Sequence, residues 1–236
     1  MGPMSSTSSA GRGRPARLDR ARTVDTALDL LDSLGLDDLT MRRLADSLGV
    51  QAGALYRHFA TKQDLLTAMA ERMLADIPAP REGGDWDERL AGLARAMRTA
   101  LLAHRDGARV FAGTHSTGAH TLRFSDTVTG VLREGGFNDE DAGRALMAVV
   151  NYTLGHTLEE QAALRPGDDD MADPERLRRA VESGPFPHLA AALPTLTSTD
   201  FTAHFEFGLR LLLQGLRALG ASGARRRAGG GGAGSA

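Results

Sequence analysis

The 236-residue sequence predicts an all-α protein, with a three-helix helix-turn-helix head followed by a larger helical body. Three observations predict it. Apolar residues recur at helical spacing along the chain, and no stretch alternates with the two-residue period of a strand. Two short helical patterns meet at Gly49 with no room for a loop between them. Pro78, Pro80, Gly83 and Gly84 then punctuate the chain, separating head from body.

Residues 1–16 are rich in Ser, Gly and Arg and are expected to form a disordered basic arm. The head is expected over 17–77. Its first helix runs from about Arg17 to Leu34, with Val24, Ala27, Leu28, Leu31 and Leu34 on one face. Thr40 is a natural N-cap for the second, whose Met41, Leu44, Ala45 and Leu48 share a face. Gly49 supplies the turn and Val50 fills the angle. The third helix, Gln51 to His58, turns Leu55 and Phe59 inward. Thr61 caps the fourth, which runs to about Ile77 and ends before the prolines.

The body is expected over 85–220. Leu90, Leu93, Ala94, Met97 and Leu101 mark an amphipathic helix from Trp86 to His104. A short helix covers Ala108 to Ala112, a further one Thr121 to Glu134, and a long one starts at Asn138 and reaches about Leu164. Glycine, aspartate and proline dominate 166–199, predicting loop with one short helix near Pro174 to Ser183. The last helix spans Asp200 to Leu219, and 221–236 reads as a flexible tail. Ala145 to Leu158 and Phe201 to Leu219 are apolar on more than one face, so they form the monomer core or also meet a second subunit.

Composition narrows the function. Without cysteine the chain has no disulfide, thiolate metal site or cysteine nucleophile, which suits a reducing cytoplasm. No apolar run reaches the roughly 18 residues of a membrane span, and the arginine-bearing N-terminus lacks the apolar core of a signal peptide. The net charge of −2 hides an asymmetry: Arg12, Arg14, Arg17, Arg20 and Arg22 cluster before the first helix, and Arg225, Arg226 and Arg227 near the end. Lys62 is the only lysine.

A helix pair with a glycine turn is either an ordinary helical hairpin or a reading head for the DNA major groove. Leu55-Tyr56-Arg57-His58-Phe59, with Lys62 and Leu65-Leu66 following, resembles the signature of the TetR family of regulators. Leu101 to Val110 with Gly113-Thr114, Tyr152-Thr153-Leu154-Gly155 with Leu158-Glu159 and Gln161, and Phe207-Gly208-Leu209 resemble the tetracycline-repressor subfamily. The likeness covers about residues 18–218. It implies a DNA-binding head, a ligand-binding body, and a homodimer closed by the two apolar helices as a four-helix interface.

The resemblance also implies which residues meet double-stranded operator DNA. Gln51, Ala52, Gly53, Ala54 and Arg57 face the bases; Arg57 would favour guanine and Gln51 adenine, with Arg42 a further guanine contact and Ala54 limited to apolar contact. Thr40, Tyr56, His58 and Lys62 are phosphate contacts that set register. Gly11-Arg12-Gly13-Arg14-Pro15 looks like an AT-hook core, which places Arg12 and Arg14 in a minor groove.

For the small-molecule effector, the resembling segments imply Leu93, Met97, Phe111, Thr114, His115, Asn151, His156 and Glu159. The chain departs from the subfamily at decisive positions. Phe111 stands where that subfamily has a metal-binding histidine, and Pro78 and Leu93 stand where a histidine and an asparagine hold the drug's first ring. Only the acidic Glu159 is kept. The implied effector is therefore not magnesium-tetracycline but something more apolar. His156 and Glu159, three apart, form at most half a metal site; a hydrogen-bonded pair is the simpler expectation, and no metal or cofactor is expected. Arg105-Asp106-Gly107 is the expected hinge contact toward the fourth helix. An enzyme lacks support, since there is no phosphate-binding glycine loop and no nucleophile–base arrangement. A constitutive architectural DNA-binder is the other reading, and it predicts a filled core instead of a pocket.

Deleting residues 1–16 is expected to weaken operator binding and to flatten the dependence of affinity on salt, by about one unit of log–log slope per lost phosphate contact. Anisotropy titrations across a salt series measure that slope.

Overall fold

The computed structural model describes residues 19–80, 83–164 and 174–230, the stretch 221–230 by its backbone alone, and contains eleven helices and no strand among the described residues. The head comprises α1 (Arg20–Leu34), α2 (Met41–Leu48), α3 (Ala52–Tyr56) and α4 (Lys62–Leu74). Asp19 caps α1 through the Ala21 N–H. Thr40 caps α2, its hydroxyl oxygen accepting the Arg43 N–H. Gly49 ends α2 in the left-handed region (φ 66°), which lets the chain reverse within one residue before α3. Thr61 and Asp64 form a reciprocal capping box at α4. Val24, Ala27, Leu28 and Leu31 of α1 are buried against this frame, and Leu34 only partly.

The body comprises α5 (Trp86–Leu102), α6 (Gly107–Ala112), α7 (Ala119–Glu134), α8 (Asp139–Ala163), α9 (Pro174–Glu182), α10 (Pro187–Leu196) and α11 (Phe201–Gly230). α8 packs against α5, α6, α7 and α11, so it forms the spine of the body. Phe205, Leu209 and Leu216 of α11 are buried with Ala142, Ala145 and Val149 of α8. Head and body share one apolar cluster, because α4 packs on α5, α6 and α7 as well as on α1.

Two elements differ from the sequence reading. The stretch 166–199 contains a second helix, α10, which begins with Pro187 at a position where proline's missing N–H costs nothing. Pro194 lies inside its last turn, and the density of prolines had masked an alanine- and leucine-rich run. The last helix also continues past Leu219 to Gly230, through Ala and Arg residues of high helix propensity. α9 and α10 pack on each other and leave Leu177, Phe186, Leu189 and Leu196 exposed.

Between α5 and α6 the chain turns through Asp106, the only non-glycine residue with positive φ among the described residues (φ 57°). Gly107 follows because nothing larger fits: a Cβ there would lie 2.3 Å from the Leu101 carbonyl oxygen. Gly107→Ala is expected to cost about 2 kcal/mol by forcing the turn open, seen as a lower urea midpoint at unchanged slope. Gly53→Ala, whose added methyl meets open space, is expected to be neutral or stabilising by up to about 1 kcal/mol.

Candidate nucleic-acid interface and effector cavity

The third helix is short, and two anchors orient it. Leu55 and Phe59 are fully buried, so the opposite face must point outward. That face carries Gln51, Gly53 and Arg57, all exposed, with Ala52 and Ala54 half-buried beside them. Tyr56 is 52% exposed although its ring is large and apolar, as suits a group that meets a partner. Arg20 from α1 braces the helix from below. Its guanidinium donates to the His58 carbonyl oxygen (2.6 Å) and lies 4.3 Å from the Phe59 ring centroid. The sequence reading counted Arg20 only as charge; the signal that could have found it is its place in the first turn of α1, facing the aromatic.

The two arginines of α2 part company. Arg43 donates to both the carbonyl and the carboxylate of Asp38 (2.9 Å each), closing the α1–α2 loop. Arg42 is exposed and makes no hydrogen bond or ion pair among the described residues, which keeps it available. Thr40 is exposed and uses its oxygen as the cap; its O–H remains free to donate to a phosphate. His58 is exposed as well. Lys62 is half-buried, its ammonium 3.4 Å from the Leu36 carbonyl oxygen, which aims it along the loop before α2. Arg12 and Arg14 lie outside the described residues.

How the head is fastened to the body corrects one expectation. The Arg105–Asp106–Gly107 turn binds the end of α1 and its following loop, not α4. The Leu36 N–H donates to Asp106 Oδ2 (2.9 Å), and Arg109 forks onto Asp37 (3.0 and 3.2 Å). Asp32 accepts the Arg105 N–H (2.9 Å) and lies 3.0 Å from His104 Nδ1. The reason is steric and electrostatic: Gly35 (φ 82°) lets the Arg105 side chain lie directly against the backbone, and the end of α1 and its loop offer two carboxylates, Asp32 and Asp37.

α4 is tied to the body elsewhere. Gln63 donates to the Gly113 carbonyl oxygen (2.7 Å). Glu71 accepts from Ser116 Oγ (2.7 Å), from the Thr121 hydroxyl, and from the backbone N–H groups of His120 (2.9 Å) and Thr121 (3.2 Å). It thereby serves the free N–H groups at the start of α7. Burial pushes its pKa up, but the bonds from Thr121, Ser116 and the two backbone N–H groups together hold it below the usual carboxylate value. A Cβ at Gly118 would lie 2.2 Å from the Glu71 carboxylate, so a larger residue there would displace Glu71 from these partners.

The eight candidate effector residues do not meet in one place. Leu93 lines a cavity of about 540 Å³ between α5 and residues 78–80 and 83–84, and also an adjoining one of about 110 Å³ walled by Ile77, Phe124 and Thr127. Met97, beside it on α5, is buried in the core. Phe111 is half-buried on α6, and Thr114 is buried with its hydroxyl turned back to the Phe111 carbonyl oxygen (2.9 Å). His115, Asn151 and Glu159 face outward. On α8, Asn151 and Glu159 share their outward face with Met147 (58% exposed) and Gly155.

The expected His156–Glu159 pair does not form; the carboxylate beside His156 is Glu160, one turn on. His156 Nδ1 lies 3.8 Å from Glu160, beyond hydrogen-bond reach, and has no hydrogen-bond partner among the described residues. Arg98 grips Glu160 through two bonds (2.7 and 2.9 Å) and lies 5.1 Å from the Phe205 ring centroid. Glu160 is only 6% exposed, and the two bonds from Arg98 pair its charge. Sequence spacing could not choose between two adjacent glutamates, of which only the second faces α5. Burial lowers the His156 pKa below 6.5; Glu160 opposes this, and Arg98 and His204 add to it. No three histidine, aspartate or glutamate side chains cluster as metal ligands among the described residues.

Comparison with known proteins agrees with this division of labour. Residues 24–69 match the family described as bacterial regulatory proteins, tetR family, and residues 77–219 match the tetracyclin repressor-like C-terminal domain. The chain is 43% identical over 204 residues to the tetracycline repressor protein class A from transposon 1721 of Escherichia coli, covering 85% of this chain and 91% of that one. A possible TetR family transcriptional regulator from Streptomyces coelicolor is 70% identical, with TM-score 0.79 over 85% of this chain and all of that one. The TetR family protein ActR of the same organism, crystallised with actinorhodin, is 32% identical, with TM-score 0.78 over 87% of this chain and 99% of that one.

A depressed histidine pKa makes stability depend on pH in one direction. Below 6.5 the unfolded chain protonates His156 before the folded one does, so folding stability falls as pH drops through that value toward the lowered folded pKa. His156→Gln is expected to lose this part of the dependence. Thermal unfolding at pH 7 and pH 5 measures it: the drop on acidification should be smaller in the variant than in the parent.

Proposed function

The chain belongs to the TetR family of bacterial transcriptional regulators, and on that premise we propose that it represses a promoter by binding a palindromic operator as a homodimer, and that a small, largely apolar effector releases it. It is a regulator and not an enzyme. The observation that carries the proposal is the outward face of α3, where Gln51 and Arg57 stand exposed and unpartnered among the described residues over a buried Leu55–Phe59 base. Arg57 reads guanine and Gln51 adenine. Arg42 adds a base contact, Ala54 an apolar one, and Thr40, Tyr56, His58 and Lys62 bind phosphates. Arg12 and Arg14 reach the minor groove.

The dimer is supported by the outer faces of α8 and α11, where Met147, Phe207, Leu211 and Leu219 are more than half exposed in the single chain. Asn151 and Glu159 belong to that face of α8, so their access to an effector would come through the second subunit. The effector site centres on Leu93, where the two cavities meet; Met97, Phe111, Thr114, His115 and His156 are not among the residues that line them. Cavities at Leu93 favour this reading over the architectural one. An effector there touches α7 at His120 and Phe124, and Glu71, bonded to the start of α7, passes a displacement to α4 and so to the head. It can release DNA only by the difference in its affinity for the two forms.

Selection of bound duplexes from a random pool, repeated at two salt concentrations, tests the proposal. One palindrome should emerge, and Arg57→Ala should relax a guanine position in each half-site while weakening the preferred sequence by about 1–3 kcal/mol. Recovery of only salt-sensitive, sequence-blind binding would overturn it.

A further inference from the structure

A separate cavity of about 530 Å³ opens between α1, α4 and α5, at the seam of head and body. It shares only Pro78 and Ala96 with the larger cavity at Leu93. Its floor is apolar: Leu28 from α1, Met73 from α4, Ile77 after it, and Ala100 from α5. Its rim carries Asp25, Asp29 and Asp76 against one guanidinium, Arg72. Arg72 is already bonded to Asp25 (3.2 Å) and to Asp76 (2.7 Å). Asp29 makes no hydrogen bond or ion pair among the described residues. The remaining titratable liner, His104, is held by Asp32 just outside the cleft. Three carboxylates against one guanidinium leave two uncompensated negative charges above an apolar floor.

We propose that this cleft binds a cationic amphiphile, an organic cation whose apolar body covers the Leu28–Met73–Ala100 floor while its charge lies among Asp25, Asp29 and Asp76. Burial of apolar surface supplies most of the affinity. The exposed carboxylates contribute less each, but they reject anions of the same shape, so charge decides selectivity. The occupant touches α1 and α4 of the head and α5 of the body at once. It therefore favours whichever head orientation keeps the cleft open, independently of any effector at Leu93.

Rhodamine 6G, a fluorescent cation with a flat apolar body, and sulforhodamine B, an anion on the same ring system, serve as probes of the full-length protein by anisotropy. The cation should bind and the anion should not, and added salt should weaken the cation's binding. Asp29→Asn should weaken it by about two- to fivefold, and Asp29→Asn with Asp76→Asn further. Thr99→Trp, from the exposed α5 position that lines this cleft, should abolish binding. Gly92→Trp, which fills the Leu93 cavity from a position where added atoms meet open space, should leave it intact. Loss with Gly92→Trp and retention with Thr99→Trp would assign the dye to the Leu93 cavity and overturn the proposal. So would equal binding of both dyes, or no cation binding below about 1 mM. Should Thr99→Trp fail to fold, the carboxamide variants and the salt series still decide.

Discussion

The corner between α5 and α6 ties the spine of the body to the loop that follows α1, beside the packing of α4 on α5, α6 and α7. A chain reversal there leaves the last carbonyls of α5 and the first N–H groups of α6 without helical partners. Gln161, reaching in from α8, satisfies both sets: its amide donates to the Leu101 (3.1 Å) and His104 (2.8 Å) carbonyls and accepts the Ala108 N–H (2.9 Å). Asp106 takes the left-handed conformation that completes the turn, and its carboxylate faces the head. One side chain thus fixes the corner to the body's spine, and the next fixes the head to the corner. Packing alone could not do this, because apolar contacts have no direction.

The head and body obey different rules of assembly. Apolar anchors such as Leu55 and Phe59 leave the reading face no choice of orientation. α4 joins the body through the shared apolar cluster, whereas the contact of the α1 end and its loop with the α5–α6 corner is polar and partly exposed, built from aspartates, arginines and caps whose individual strength is small. That polar contact can rearrange without exposing the core, while α4 keeps the head packed on the body. Glu71 is the exception, with four hydrogen bonds at one carboxylate, and it marks where α4 stays rigidly coupled to the segment before α7.

Much of the fold was legible in the sequence because its signals are local. Thr40, Gly49 and Thr61 act within a few residues of themselves, and α2 and α4 begin where these caps predict; α4 stops at Leu74, short of the Ile77 that the following prolines suggested, and α3 at Tyr56 instead of His58. α10 was hidden because proline is read as a breaker, whereas at Pro187 it opens a helix. The site was less legible wherever it depends on long-range choice. Glu159 and Glu160 are indistinguishable by type; only the packing of α8 on α5 turns the second toward Arg98. The role of Glu71 is invisible locally too, since its partners lie 45 to 50 residues away. Arg105 to Gly107 was recognisable as a joint, but its partner loop was not.

Trp86, the only tryptophan, stands at the start of α5, two residues past the Gly83–Gly84 bend that walls the Leu93 cavity. Its indole lies against Gly135, where a Cβ would approach to 2.7 Å, and edge-on to Phe137 at 5.2 Å. The head contains no indole at all. Tryptophan emission, excited selectively over that of Tyr56 and Tyr152, is therefore a local optical gauge of the start of α5, blind to motions confined to the head, and it needs no label to be read.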